Sequence, residues 1–293
     1  MVTRRRRRPA RRRHAFKSVE QFAHGRWQEL RTFFRAVGKT PPVVRLLFSI
    51  VVVLLMLLTI NWLYHASYKP TELFFPVEQS LQKHPRDTWR EYGALFEEHS
   101  TQVITPELLA ALAQAEGAGN PVARTYWRWK FTTWNPLEWY QPASSAVGMF
   151  QLTNGTFEEA KRYCIHYHRV VEEGPWHNFD SCWFNSLYTR VLPSHAIELT
   201  AALLDRQVTR AIGDRPPTLQ QKQDLAAVIH LCGAGAGRDY VTRKYRLMPH
   251  QRCGDHDVQI YLTRIRALTQ QFATRKASEG QRGLTKSSVR ALN

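Results

Sequence analysis

The chain has 293 residues, of which 43% are hydrophobic, and a formal net charge of +17. This length accommodates one or two domains with a sizeable apolar core. Because residues 1–45 hold 14 Lys or Arg and only two Glu, a charge of about +5 remains for the rest of the chain, which argues against a nucleic-acid-binding globular part.

Residues 46–64 are the first predicted element, a run of 19 positions without a charged side chain. At about 1.5 Å per residue, a helix of this length crosses the roughly 30 Å hydrocarbon core of a bilayer. The basic residues precede the run, and Trp62 and Tyr64 close it. The distribution of positive charge therefore predicts a cytoplasmic N-terminus and an exported C-terminal part.

A cleaved signal peptide is the alternative interpretation of this run. The basic region before it is long, and the run ends in NWLYHASYK without a convincing small-x-small cleavage site, so an uncleaved anchor is favoured. The basic tail of residues 1–45 could bind nucleic acid. Beside a membrane span, a role in topology and in binding anionic lipids is the stronger hypothesis.

The exported part is predicted to be mostly α-helical, because strand-like alternation is scarce. Residues 65–99 are interpreted as a linker with a short helix, and residues 100–275 as one helical domain. Residues 276–293 are polar, basic and without periodicity, and are predicted to be a disordered tail.

Helix-start signals define the helices of the exported part. Thr105 before Pro106 is an expected N-cap, and capping boxes of the Thr-x-x-Glu or Thr-x-x-Gln type begin at Thr156 and Thr218. The predicted helices cover residues 86–100, 105–116, 157–170, 195–212, 219–231 and 256–275.

Glu116 is a single carboxylate at the end of an otherwise apolar helix. It shares one helix face with Leu109 and Leu112, so it projects from the stripe expected to face the core. The C-terminal end of a helix disfavours a further negative charge. Glu116 is therefore a candidate proton donor, and a helix-end Glu whose head reaches water is the alternative.

An aromatic and basic segment, residues 124–142, follows this helix. Seven aromatic residues, Trp127 and Trp134 among them, alternate with Arg and Lys. Ring faces stack on sugar faces and Arg pairs with carboxylates, so the segment suits a sugar polymer that bears carboxylated peptides. The alternative is a loop whose rings fold back as a small satellite core.

The four cysteines all follow the apolar run, in the compartment where disulfides persist. They allow three pairings, and the local one, Cys164–Cys182 with Cys232–Cys253, is favoured because each bond would close a loop of about 20 residues and stabilise the fold by about 3 kcal/mol. Histidines surround both pairs, but no C-x-x-C or H-E-x-x-H spacing accompanies them. The sequence therefore predicts no metal site.

Residues 230–240, HLCGAGAGRDY, contain three alternating glycines. A dinucleotide-binding motif would need a strand before the glycines and a later third glycine, whereas a helix is predicted here. The segment instead predicts a tight turn that ends a helix, at a place where the backbone must approach some other group closely.

Three blocks of the chain, in order, resemble the signature of the soluble lytic transglycosylase (SLT) domain family. A pattern like E-S-x-x-N-P at the end of an apolar helix is similar to residues 116–121, EGAGNP. A block like G-L-M-Q is similar to residues 145–152, SAVGMFQL, and one like A-Y-N-A-G-x-G-R to residues 231–238, LCGAGAGR. The resemblance covers roughly residues 100–270.

The resemblance implies a lysozyme-like fold and cleavage of bacterial peptidoglycan. It implies that Glu116 protonates the β-1,4 bond between N-acetylmuramic acid and N-acetylglucosamine, and then removes the proton of the muramyl 6-hydroxyl to give a 1,6-anhydro product. No metal or cofactor is needed. The expected substrate contacts within the blocks are Gln151, Met149, Phe150, Asn120 and Ser145. Two residues of the aromatic segment, Trp127 and Trp134, complete the expected set.

The chain departs from the family pattern at Gly117, where Ser is usual, and at Cys232 and Gly233, where a Tyr-Asn pair is usual. These departures leave open a catalytically silent peptidoglycan-binding scaffold on the same fold. A lysozyme-type hydrolase is a third hypothesis, which needs a second carboxylate near the acid. The candidates for that second carboxylate are Glu138, Glu158, Glu159 and Asp180.

The expected location is the bacterial inner membrane, crossed once, with the N-terminus cytoplasmic and the catalytic domain periplasmic. The expected partners are peptidoglycan glycan strands and the membrane itself, and the position would also suit a cell-envelope assembly. No nucleic acid is expected as a partner.

Overall fold

The computed structural model describes residues 35, 40–178, 180–212 and 217–291, with side chains as far as residue 278. The chain divides into two units, Met1–Leu63 and Tyr64–Asn293. Most of the predicted basic tail lies outside the described residues.

Helix α1, Pro42–Tyr68, contains the predicted apolar run. It is long and apolar enough to cross a membrane, and none of its most apolar window is buried within the described protein. A helix that is apolar on all sides and has no protein cover is suited to a bilayer. The helix extends beyond residues 46–64 at both ends, and it begins at a proline, which favours the first helical turn.

The second unit is mostly helical. A 3₁₀ segment, Pro70–Leu81, leads into helices α2 (Pro85–Glu98), α3 (Pro106–Gly117), α4 (Asn154–Ala160), α5 (Pro193–Ala211), α6 (Leu219–Thr242) and α7 (Val258–Ala291). Three short antiparallel pairs join β1 (Trp127–Trp129) to β2 (Tyr140–Pro142), β3 (Tyr163–His166) to β4 (Arg169–Glu172), and β5 (Arg252–Cys253) to β6 (His256–Asp257). Two further 3₁₀ turns are Pro136–Glu138 and Trp183–Leu187.

Helix α3 is at the centre of the core. Its residues from Leu108 to Ala113 are at most 1% exposed, and it packs against α2 and α7, while α5 packs against α6. An apolar helix surrounded in this way is held firmly in place. The side chains of its last turn therefore have well-defined positions at the edge of the core.

Two predicted helix starts are confirmed. The Thr105 hydroxyl accepts a hydrogen bond from the backbone N–H of Leu108 at 3.3 Å, and Pro106 takes the first helical position. Thr218 and Gln221 form a reciprocal capping box at the start of α6. Each side chain satisfies backbone donors that the helix itself leaves unpaired.

The helix predicted over residues 157–170 is wrong. Helix α4 is capped by Thr153 instead of Thr156 and ends at Ala160. The β3–β4 hairpin follows, in which Ile165 pairs with Val170. β-branched residues favour extended backbone, and the hairpin packs against α5.

The last helix is longer than the sequence indicated. It was predicted over residues 256–275, with a disordered tail at 276–293, whereas α7 runs from Val258 to Ala291. The tail contains Ala, Leu, Lys, Arg, Gln and Glu, whose high intrinsic helix propensity requires no apolar periodicity.

Candidate active site

Glu116 lies in the last turn of α3. The helix stops directly after it, because Ala118 adopts a left-handed conformation with φ 48°. The Glu116 side chain is 17% exposed. The Glu116 side chain is therefore mostly covered by the protein and only partly accessible to solvent.

The carboxyl group is held by a tyrosine from α7. The Tyr261 hydroxyl donates a hydrogen bond to Glu116 Oε1 at 2.5 Å. Burial, and then the charge of Glu116 and this hydrogen bond, raise the pKa of Tyr261 well above its ordinary value, so the hydroxyl remains a donor at physiological pH. Glu116 Oε2 makes no hydrogen bond to the part of the chain that the structure describes.

A histidine approaches the same carboxylate oxygen. His230 Nε2 lies 3.8 Å from Glu116 Oε1, and the His230 side chain is largely buried. The Tyr261 hydroxyl and the His230 imidazole thus both lie on the Oε1 side of the carboxyl group.

The second block packs directly against the end of α3. A Cβ atom on Gly117 would lie 2.7 Å from Met149 Cα and 3.0 Å from the Met149 carbonyl oxygen. The backbone N–H of Gly148 donates to the carbonyl oxygen of Ala123 at 2.8 Å. Gly117 therefore permits a close contact between two backbones that a side chain would obstruct.

The third block follows His230 and contains a kink in α6. Gly233 has φ 84° and ψ 168°, which interrupts the helix at the predicted turn. At Gly237, a Cβ atom would overlap the side chain of Ile229. The predicted turn is present at Gly233, but it does not end the helix, which continues to Thr242. A Cβ atom on Gly233 would have no neighbour within 4 Å, and the close approach at Gly237 is to a side chain of the same helix.

Both predicted disulfides are confirmed. Cys164–Cys182 anchors β3. Cys232–Cys253 joins the residue before the α6 kink to β5, with the two Cα atoms 5.4 Å apart. Helix α7 begins shortly after β5 and carries Tyr261 in its first turn, so a covalent bond links the third block to the segment that holds Glu116.

Three predicted substrate contacts are instead part of the core. Met149, Phe150 and Asn120 are all 0% exposed. The Asn120 amide donates to the Glu78 carbonyl oxygen at 3.3 Å and accepts from the Val122 N–H at 2.9 Å. The prediction that they contact substrate is corrected, because close packing at the end of α3 turns these side chains inward.

Gln151 and Ser145 stabilise the turn between the second block and α4. Gln151 Nε2 donates to the carbonyl oxygens of Ala123 at 3.2 Å and Gly148 at 2.9 Å. Ser145 Oγ accepts the backbone N–H of Asn154 at 3.1 Å. Both side chains are partly exposed, and their contact with a saccharide stays a prediction.

The predicted aromatic contacts lie on the β1–β2 hairpin. Trp127 is partly buried and donates its indole N–H to Glu72 Oε2 at 2.8 Å, while Trp134 is fully exposed. Tyr126, by contrast, donates its hydroxyl to Asp255 Oδ2 at 3.0 Å, in the turn between β5 and β6. The described contacts connect Tyr126, rather than the two tryptophans, with the elements around Glu116.

The described contacts bring no second carboxylate to Glu116. Glu138 and Glu158 bond within their own segments, Glu159 accepts a hydrogen bond from α5, and Asp180 lies exposed in a loop. Among the described residues, no group of three or more His, Cys, Asp or Glu side chains is arranged to hold a metal ion.

The sequence does not reveal Tyr261 and His230 as partners of Glu116. Tyr261 is 145 positions from Glu116 and has no local motif. His230 directly precedes the third block but was considered only as a flanking histidine. One feature of the sequence places Tyr261 near the site: it follows Cys253 closely, and Cys253 is predicted to form a disulfide with Cys232 of the third block.

All three blocks are thus connected, directly or through a neighbouring segment, with the end of α3 that carries Glu116. The first block carries Glu116, the second packs its backbone on Gly117, and the third follows His230 and is bonded to the segment that carries Tyr261. Comparisons with models of protein families, with curated proteins and with solved structures give no match to this chain.

Proposed function

We propose that this chain is a membrane-anchored lytic transglycosylase with a lysozyme-like catalytic domain. It cleaves the β-1,4 bond between N-acetylmuramic acid and N-acetylglucosamine in peptidoglycan and leaves 1,6-anhydro ends. The observation that best supports this proposal is the environment of Glu116, a partly exposed carboxyl group at the end of a buried helix, which Tyr261 holds through one oxygen.

In the first step, protonated Glu116 acts as a general acid. Its proton passes from Oε2 to the oxygen of the leaving N-acetylglucosamine as the glycosidic bond breaks. The negative charge that develops on the carboxylate is stabilised by the Tyr261 hydroxyl, which already lies at Oε1 and needs no rearrangement.

In the second step, the same carboxylate acts as a general base. It takes the proton of the muramyl 6-hydroxyl, whose oxygen forms a bond to C1 of its own sugar and closes the 1,6-anhydro ring. Glu116 is protonated again at the end, so no water, metal ion or cofactor is consumed. A hydrolase commonly uses a second carboxylate roughly 5–10 Å from the acid, and the described contacts supply none.

The membrane anchor and the disulfides support a periplasmic location for this chemistry. Helix α1 has the length and composition of a bilayer span, and two disulfides favour an oxidising compartment. An inner-membrane protein with this topology would remain beside the wall that it cuts.

The experiment that tests the proposal is digestion of purified peptidoglycan by the full chain in detergent, with analysis of the products by mass spectrometry. Wild type is expected to release anhydromuropeptides, and Glu116→Gln to release about 100- to 10,000-fold less. Glu107→Gln is a matched control, because Glu107 lies in the first turn of the same helix, is 16% exposed and pairs with Lys276 at 3.3 Å. It is expected to retain activity.

The products distinguish the alternatives. Reducing-end products from wild type would indicate a lysozyme-type hydrolase. If no products appear and both wild type and Glu116→Gln sediment with the cell wall, the chain is a silent scaffold, an outcome consistent with the structural bonds of Asn120 and Gln151. Absence of both cleavage and binding would refute the proposed function.

A further inference from the structure

A continuous series of ring contacts runs along the β1–β2 hairpin. We name it the aromatic ladder. Successive ring centroids lie 4.8–5.9 Å apart, within the range of favourable aromatic pairs. Its members, in order of contact, are His65, Trp127, Tyr140, Trp129, Phe131 and Trp139.

The ladder starts where the apolar run ends. His65 directly follows residues 46–64 in the chain. Its ring packs edge-on against Trp127, with centroids 5.2 Å apart, and its Nε2 donates to the carbonyl oxygen of Leu137 at 2.9 Å. The hairpin is therefore attached to the residue at which the chain would leave the bilayer.

The far end of the ladder is exposed to solvent. Trp129 is 61% exposed, Phe131 70% and Trp139 40%, and the neighbouring Trp134 is fully exposed. Large rings grouped on a surface in this way indicate an interaction site.

The surroundings of the ladder favour lipid headgroups. The exposed cations Arg128 and Lys130 alternate with its rings along the chain, and such cations pair with lipid phosphates. The 3₁₀ segment that follows α1 also exposes Leu73 and Phe75, and it is joined to the hairpin by the bond between Trp127 and Glu72. Amphipathic Trp rings are enriched at this depth of a bilayer.

We propose that the exposed end of the aromatic ladder, together with Trp134, lies in the headgroup region of the outer leaflet of the membrane that α1 spans. The domain then has a second membrane contact in addition to its anchor. The inference rests on the membrane anchoring in the proposed function, but it does not require catalysis. A glycan strand would also stack on these rings, and the start of the ladder at His65 is the observation that favours the bilayer.

Fluorescence quenching by brominated lipid tests the contact. The full chain is reconstituted into vesicles of phosphatidylcholine and phosphatidylglycerol, with or without bromine on the acyl carbons close to the headgroup. The emission that a combined Trp129→Phe, Trp134→Phe and Trp139→Phe variant loses relative to wild type is that of the three exposed tryptophans, called the hairpin emission below. We expect that emission to be at least halved in brominated vesicles. Both leaflets contain the brominated lipid, so the orientation of the protein in the vesicle does not affect this expectation.

Trp176→Phe is the matched control. Trp176 is 77% exposed, and the ring contact described for it is with His177, outside the ladder. Its emission is expected to be the same in both kinds of vesicle. The proposal is overturned if the hairpin emission is equally unaffected, or is quenched no more than that of Trp176.

A response of the hairpin emission to soluble peptidoglycan fragments, without quenching by brominated lipid, would assign the ladder to glycan and would also overturn the proposal. Glu116→Gln is expected to give the same quenching as wild type, because the measurement needs no cleavage. A negative digestion result would therefore refute the proposed function and leave the lipid contact standing.

Discussion

Replacement of Gly117 by Ala adds a single methyl group to the contact between the end of α3 and the second block. The new Cβ atom would lie 2.7 Å from Met149 Cα, 3.0 Å from the Met149 carbonyl oxygen and 3.2 Å from Ala123 Cβ. The two nearest atoms belong to the backbone, so no change of rotamer relieves the overlap. Either the end of α3 or the backbone around Met149 must move.

The expected cost follows from two opposing effects. Overpacking of a well-filled contact costs about 1–3 kcal/mol, whereas Ala in place of Gly inside a helix gains up to about 1 kcal/mol. Subtraction of a gain of about 1 kcal/mol leaves a net loss centred on about 1 kcal/mol, which lowers the Tm of a unit of this size by about 2–4 °C. Because Glu116 is the adjacent residue, a displacement of about 1 Å would also reduce activity by about 100-fold.

The assay is thermal unfolding of the full chain in detergent, followed by near-UV circular dichroism, together with release of anhydromuropeptides. Gly155→Ala is the matched control: Gly155 is also helical, but a Cβ atom there would have no neighbour within 4 Å. It should leave the Tm unchanged or raise it. If Gly117→Ala behaves like Gly155→Ala, the backbone contact does not require glycine and the reasoning is refuted.

Three further predictions concern Tyr261, the Cys232–Cys253 disulfide and His195. Tyr261→Phe removes a hydrogen bond to a charged group worth about 1.5–3 kcal/mol, so kcat/KM for peptidoglycan should fall about 10- to 150-fold; an unchanged rate would show that the bond to Glu116 has no catalytic role. Combined Cys232→Ala and Cys253→Ala should lower the free energy of unfolding by about 3 kcal/mol, measured by urea titration, and unchanged stability would contradict this. Burial lowers the pKa of His195, so the unfolded state binds more protons and stability should decrease as the pH falls below about 6.5; His195→Gln should flatten this part of the profile of Tm against pH, and an identical profile would count against it.

The fold could be predicted where local chemistry decides it. The caps at Thr105 and Thr218 satisfy backbone donors within four residues, so a short sequence pattern is enough to predict where the helix begins. The capping pattern at Thr156 failed because the following residues are governed by distant partners. Ile165 and Val170 pair across a hairpin that packs on α5, and no local sequence pattern predicts that contact.

The site divides in the same way. Glu116 and the three blocks could be located from short motifs, whereas motif spacing does not tell on which side of the backbone a residue faces. Met149 was therefore expected in a cleft, although its backbone contacts Gly117 and its side chain fills the core. The hydrogen bond of Tyr261 to Glu116 depends on how α7 packs against α3, which is a property of the tertiary structure.

The hairpin connects the catalytic cluster with the proposed membrane contact. Adjacent residues of an extended chain point to opposite sides. Tyr126 bonds to Asp255 in the turn that leads into α7, whereas Trp127 bonds to Glu72 and packs on His65 at the end of the apolar run. The two contacts therefore lie on opposite sides of one extended segment. If both proposals hold, binding of the ladder to lipid positions the Glu116 site, and the glycan strands that it cuts are those nearest the membrane.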